Sequence, residues 1–326
     1  MTTTGSFAKK EADELLRRVD TQVARATKSQ GVDELHDLRV AIRRYIRILS
    51  ALAPCFPRGE SKRMRRGLKR IMVQAGDIRN YDIAIHLISR MELPDSGTLL
   101  RQIQKRRELA ATVLSASLHR WKTRNLPARW RAALNADRDL KSADADFRAV
   151  PLEVMAKRLL PDMVTEHFHR GVAAVGKKMP AHKIHRFRIA AKHFRYTLDF
   201  FAPLYAGTLP LLIDRLKDVQ TLLGDINDCA TARRIVKEEI TEGAGDTVRS
   251  SVLSELKDRQ RKKIKEFREQ YTGEFSSASV LRQWRDSVQR VGPQPGAAAK
   301  KSAGVKKSVA AKKRAVAKIP ASRRRQ

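Results

Sequence analysis

An all-α fold is predicted, built as two four-helix-bundle-like halves related by internal duplication, and three observations predict it. Apolar residues recur at three- and four-residue spacings from about residue 8 to 290, as in Leu35, Leu38, Ile42, Tyr45/Ile46, Leu49 and Leu52. Alternating β-branched runs bounded by turns are missing. The stretch "HDLRVAIRRYIRILSALAP" (36–54) returns in altered form as "HRFRIAAKHFRYTLDFFAP" (185–203), 149 residues further on.

The elements follow from turn-forming residues along the chain. Breaks are expected at "QGVD" (30–33), "APCFPRGE" (53–60), "AGDIRNYD" (75–82), "LPDSG" (93–97) and "NLP" (125–127). Later ones fall near "MPAH" (179–182), "APLYAGTLP" (202–210), "LLGDIND" (222–228) and "EGAGD" (242–246), with Pro151 opening the second half. The repeat extends beyond one helix. Gly76-Asp77-Ile78 matches Gly224-Asp225-Ile226 at an offset of 148, so the two landmarks lie 40 residues apart in one half and 39 in the other. Near-equal spacing is what duplication leaves behind. The halves are placed at about 8–146 and 147–291, each a bundle of about four antiparallel helices, together forming one domain over 1–291. Asp77, Asp82, Asp225 and Asp228 are then expected as helix caps at the Gly-Asp turns rather than as catalytic carboxylates.

Composition narrows the function. There are 68 Lys+Arg against 35 Asp+Glu, a net +33, and such an excess implies a polyanionic partner: nucleic acid, polyphosphate or an anionic membrane face. Aromatics are only 6%, which argues against a single-strand or RNA reader built on stacked rings. Two distant cysteines, Cys55 and Cys229, give neither a disulfide framework nor a zinc pattern. No run approaches the ~18 apolar residues of a membrane span, and the N-terminus lacks a signal-peptide core, so a cytoplasmic protein without membrane attachment is expected. Residues 292–326 hold 11 Lys+Arg and no acid, leaving +22 of the +33 for residues 1–291. With few large apolar residues this segment is expected to be a disordered basic tail, resembling the Ala/Lys-rich tails of linker histones and suited to DNA.

The repeated helix carries the chemistry. At about 100° per residue, His36, Arg39, Arg43 and Arg47 share a narrow stripe, and His185, Arg188, Lys192, Arg195 and Tyr196 form the corresponding one. Each stripe runs roughly 16 Å at a rise of about 1.5 Å per residue, which suits an extended anion better than a single phosphate. Arginine grips phosphoryl oxygens bidentately and lysine acts as a mobile point charge. If both helices line the junction of the halves, two copies make two walls of one basic groove.

The duplicated H-x-x-R-x-x-x-[RK] helices, each followed by a Gly-Asp motif, resemble the CHAD domain, the conserved-histidine α-helical domain, over roughly residues 8–290. The resemblance implies two four-helix halves, a basic central groove and binding of inorganic polyphosphate, with some members on polyphosphate granules. Matched by position are His36, Arg39 and Arg43, then His185, Arg188, Lys192, Arg195 and Tyr196. Lys69 in "RGLKRIM" and Lys217 in "DRLKDVQ", 148 apart, match a helix beside each stripe, where Arg63, Arg66 and Arg70 add charge. Ile46 stands where the family usually has arginine, with Arg47 one residue later, and Asn80 replaces an aspartate.

Other signals carry less. "GVAAVGKK" (171–178) nearly spells a phosphate loop, but Lys178 replaces the magnesium-binding hydroxyl and no strand precedes it; a helix end explains it. "HFH" (167–169) and "HKIH" (182–185) lack a further ligand at suitable spacing, and His86 and His119 are read as packing or surface residues. No metal or cofactor is expected. Asp218 is read as a partner for a groove cation. No nucleophile activated by a base is visible, so a non-catalytic polyphosphate binder is expected. The alternatives are a nucleic-acid binder acting through its tail and a phosphoanhydride-processing enzyme.

Overall fold

The computed structural model describes residues 2–136, 144–176, 179, 181–205, 207–239 and 246–292. The tail expected over 292–326 lies outside them except for Gly292, as do Pro180 and residues 242–245 of the expected breaks. Helices account for nearly everything described, and no strand is formed among the described residues, where pairing is limited to isolated bridge positions such as Thr3 with Pro151. The all-α expectation holds.

The first segment runs α1 (Thr4–Lys28), α2 (Val32–Ala51), α3 (Arg58–Ser89), α4 (Gly97–Thr123), α5 (Leu126–Asn135) and the short α6 (Ala145–Ala149). The second runs α7 (Leu152–Ala174), α8 (Ala181–Phe201), α9 (Thr208–Arg234), α10 (Asp246–Phe275) and α11 (Ala278–Gln289). In α2 the buried set is Leu35, Leu38, Ala41, Ile42, Tyr45, Ile48 and Leu49, the three-and-four spacing that puts one stripe in the core. Asp33 and Glu34 sit in its first turn, where a carboxylate favours the exposed N–H groups. None of the helices is long and apolar enough to cross a membrane, among the described residues.

Two expected breaks are absent. α3 passes straight through Gly76-Asp77, and α9 passes straight through Gly224-Asp225. The four aspartates are therefore mid-helix residues and cap nothing. Gly76 keeps a helical backbone and serves a different need: a Cβ added there would lie 2.6 Å from Nη1 of Arg39. Its bare surface lets a guanidinium from α2 lie against α3.

Antiparallel packing fixes the registers. Arg39 Nη1 donates to the Met72 carbonyl at 3.1 Å and Arg65 Nη1 to the Ser50 hydroxyl at 3.3 Å, so α2 and α3 run in opposite directions. Gln220 Nε2 donates to the Ala191 carbonyl at 2.8 Å, pairing α8 and α9 likewise. The large core includes Tyr45, Trp121 and Trp130 on one side and Phe168, Phe194, Tyr271, Phe275 and Trp284 on the other. A second apolar cluster joins Ala84 and Ile88 of α3 with Ala232, Ile235 and Val236 at the end of α9. At the N-terminus, the Thr4 N–H and hydroxyl both donate to the Val150 carbonyl at 2.8 Å, and the Leu152 N–H donates to the Thr2 carbonyl at 3.0 Å. These bonds tie the start of the chain to the joint between α6 and α7.

Candidate anion-binding groove

The two basic helices touch near their C-terminal ends. Arg47 Nε donates to the Thr197 hydroxyl at 2.7 Å, and Arg44 faces Asp199 at 3.6 Å. One helix turn back, the Tyr196 ring lies beneath two guanidinia, those of Arg43 (5.9 Å) and Arg195 (4.8 Å). Here an arginine of one stripe and an arginine of the other meet at one aromatic ring, a cation–π arrangement stabilised in a desolvated setting. Tyr196 itself is buried, so it supports the floor of the groove.

Further along, the stripes feel one another electrostatically. Burial and then Arg43, Arg188 and Arg79 pull the Arg39 guanidinium down to about 10, with Asp77 opposing them. Lys192 is pushed down to about 7, first by burial and then by Arg188, Arg43 and Arg39. Arg188 is lowered by burial, with Asp228 opposing and Arg43 adding to the effect. His36, exposed at the head of α2, is lowered by burial and by Arg43, Arg79 and Lys192, while Asp37 opposes. With Arg43 lying over the Tyr196 ring, these shifts put four cations from helices 149 residues apart within electrostatic reach of one another.

Internal neutralisation of this cluster is slight. Among the described residues Arg39, Arg43, Arg188 and Lys192 form no ion pair. Nε of Arg43 and Nε of Arg188 are buried without a hydrogen-bond partner. Two acids act on it, Asp77 on Arg39 and Asp228 on Arg188 and Lys192, and burial holds the Asp228 carboxyl above the usual range despite Arg188, Asn227, Arg79 and Lys192. Buried guanidinium donors left open are costly unless something fills them. A multivalent anion satisfies the donors and the charge together.

The remaining expected residues take different stations. Arg195 Nε donates to Gln220 Oε1 at 2.9 Å, which holds its side chain against α9 while its far end covers Tyr196. His185 is exposed and pairs through Nδ1 with Asn227 Oδ1 at 2.9 Å. Lys69 is exposed two turns before Gly76, on the same face of α3. Arg66 is exposed and lies round the helix from that face. Lys217 pairs with Asp214 at 2.7 Å, and it is Asp214 rather than Asp218 that supplies its carboxylate. Arg47 is largely occupied by Thr197.

Sequence reasoning passed over Arg79 and read Asp228 as a helix cap. Arg79 lies one turn beyond Gly76 and acts on His36, Arg39 and Asp228 alike. It also lines a cavity of about 510 Å³ between α3, α9 and α10, with Asp228, Arg90 and Arg259. The helical spacing Lys69, Gly76, Arg79 could have revealed it, had the segment been read as continuous.

The fold and this site define a class: an all-helical protein whose paired basic helices stand against each other at the junction of two segments. The CHAD domain family model matches residues 10–237, most of the chain, and the protein belongs to that family. The crystal structure of the CHAD domain from the plant Ricinus communis superposes with a TM-score of 0.67 at 18% identity, covering 89% of this chain and 95% of that one. PptA from Streptomyces chartreusis superposes with a TM-score of 0.60 at 14% identity, covering 83% of this chain and all of that one (100%). At these identities the superpositions speak for the fold. No curated protein matches the sequence.

Proposed function

We propose that residues 1–291 bind inorganic polyphosphate along the groove formed by α2 and α3 on one side and α8 and α9 on the other. The observation that carries this reading is the cluster of Arg39, Arg43, Arg188 and Lys192, brought together from both stripes without ion pairing. Polyphosphate offers one negative charge per residue at short, regular spacing, so successive phosphoryl oxygens can meet successive guanidinia. Binding is non-catalytic, driven by charge-assisted hydrogen bonds and counterion release. A cellular station on polyphosphate granules follows from this reading. Fluorescent fusions in polyphosphate-replete and polyphosphate-null cells test it, and foci unchanged in the null cells overturn it.

A second reading, nucleic-acid binding, is favoured by the 11 Lys+Arg of residues 292–326. Both polymers lose affinity steeply with salt, so competition separates the readings. Residues 1–291 are compared with polyphosphate, DNA and heparin at matched charge. Polyphosphate is expected to displace DNA from residues 1–291 and DNA to fail to displace polyphosphate; the reverse order refutes the groove reading.

A further inference from the structure

A second basic concavity lies away from the groove. Between α3, α4 and α5 is a bay of about 580 Å³ whose wall carries five arginines, Arg63, Arg70, Arg120, Arg124 and Arg129. Glu60 is the carboxylate in the lining, and it pairs with Arg63 at 3.1 Å. Arg120 is partly used, donating to the Ser117 hydroxyl at 3.1 Å. Arg70, Arg124 and Arg129 are exposed and form no ion pair among the described residues. The groove does not use these side chains: Arg70 and Arg63 lie on α3 roughly 120–140° round from the face that bears Gly76.

The floor of the bay is aromatic and is formed by two core residues, Trp121 and Trp130, 1% and 8% exposed. Trp121 and Trp130 line it, edge to face with ring centroids 5.0 Å apart, together with Leu126. The Trp121 Nε1 is turned to Asp20 at 2.9 Å, which anchors that ring from behind. Gly67 stands over Trp130: a Cβ there would meet Cζ2 and Cη2 of the indole at 3.6 and 3.7 Å. Glycine inside a helix costs about 1 kcal/mol relative to alanine, and here it leaves the indole edge less covered.

The corresponding positions in the second segment are filled and neutralised. At 148 residues on from Gly67 stands Arg215, whose guanidinium lies 5.8 Å from the Phe275 ring and 3.9 Å from Glu274. Arg63 and Arg70 correspond to Leu211 and Asp218. The open basic bay is thus specific to the first segment. Residues of α3, α4 and α5 line it.

From these features we infer that the bay is a binding site for a nucleoside polyphosphate, its phosphoryl groups on Arg70, Arg124 and Arg129 and its ring toward Trp130 and Leu126. A compact anion of this kind matches both halves of the lining. Guanidinia take phosphoryl oxygens bidentately, and a flat ring takes the indole edge and the planar faces of the arginines.

Intrinsic tryptophan fluorescence of the full chain, titrated with ATP, tripolyphosphate and adenosine, tests this. ATP is expected to quench saturably and to bind at least tenfold more tightly than tripolyphosphate or adenosine. Arg70→Ser with Arg124→Ser should weaken ATP at least tenfold while polyphosphate binding in the groove persists. Arg39→Ala with Arg188→Ala should leave the ATP titration within twofold. Absence of saturable quenching overturns the inference. So does loss of the ATP response in the groove variant, or equal affinity for ATP and tripolyphosphate. Each of these outcomes leaves the groove reading to stand or fall on its own titration.

Discussion

Arg47 of α2 is bonded through Nε to the hydroxyl of Thr197 on α8, 2.7 Å away, so a residue expected among the anion ligands also rivets the two basic helices together. Burial lowers its guanidinium, in keeping with a side chain largely removed from water. Thr197→Val keeps the shape and removes the acceptor. It should destabilise the protein by about 1.5–3 kcal/mol, the range for a hydrogen bond to a charged group. Urea unfolding measures this, and an unchanged midpoint would show the bond to be dispensable.

The two matched glycines should respond oppositely to alanine. At Gly76 a methyl group displaces the Arg39 guanidinium, whose Nη1 would be 2.6 Å away, and with it the bond to Met72. Polyphosphate affinity should fall several-fold. Around Gly224 an added Cβ meets nothing within 4 Å, and the helix continues on both sides. Gly224→Ala should therefore raise stability by up to about 1 kcal/mol with binding unchanged. Thermal melts and binding titrations on the two variants decide it.

Charge removal separates groove from tail. Arg39→Ala with Arg188→Ala should cost about 2–4 kcal/mol of polyphosphate binding if both bonds are charge-assisted. Loss of two tail lysines, such as Lys312 and Lys313, should cost far less. Equal losses would deny the groove any special standing.

The pH response turns on Lys192, which sits at about 7 in the free protein. A bound polyanion stabilises the ammonium form and raises that value, so binding at pH 7–8 draws in a proton. Affinity should decline as pH rises from 6 to 9, and Lys192→Arg should flatten the decline. Calorimetry in two buffers of different ionisation heat reads the proton directly. In the unliganded protein the unfolded lysine, at 10.5, holds its proton where the folded one has lost it. That contribution makes the free protein more stable as pH rises from about 7 toward 10.5, and the full penalty applies below 7.

Much of this was readable from residues alone, for physical reasons that also mark the limit. The α2 stripe was legible because burial of Leu35, Leu38, Ile42 and Leu49 fixes which face remains for His36, Arg39 and Arg43. Gly76 was misread because a glycine marks a turn and a close approach with the same letter. The reason for it, Arg39, is 37 residues away in sequence. Arg47 and Tyr196 carry the right chemistry for the groove, yet each has a partner in the other segment, Thr197 and Arg43. Periodicity ranks a residue's face but not the helix opposite it.

The walls of the groove are joined at opposite ends. α2 and α8 meet where Arg47 reaches Thr197, while α3 and α9 meet at the apolar contact of Ala84 and Ile88 with Ala232 and Ile235. Since α2 and α3 run antiparallel, these junctions bracket the cations between them. Fastened this way, the walls are tied to each other at both ends. On the proposed function, loading should be governed by the diffusive arrival of the polyanion under long-range attraction and should be fastest in dilute salt.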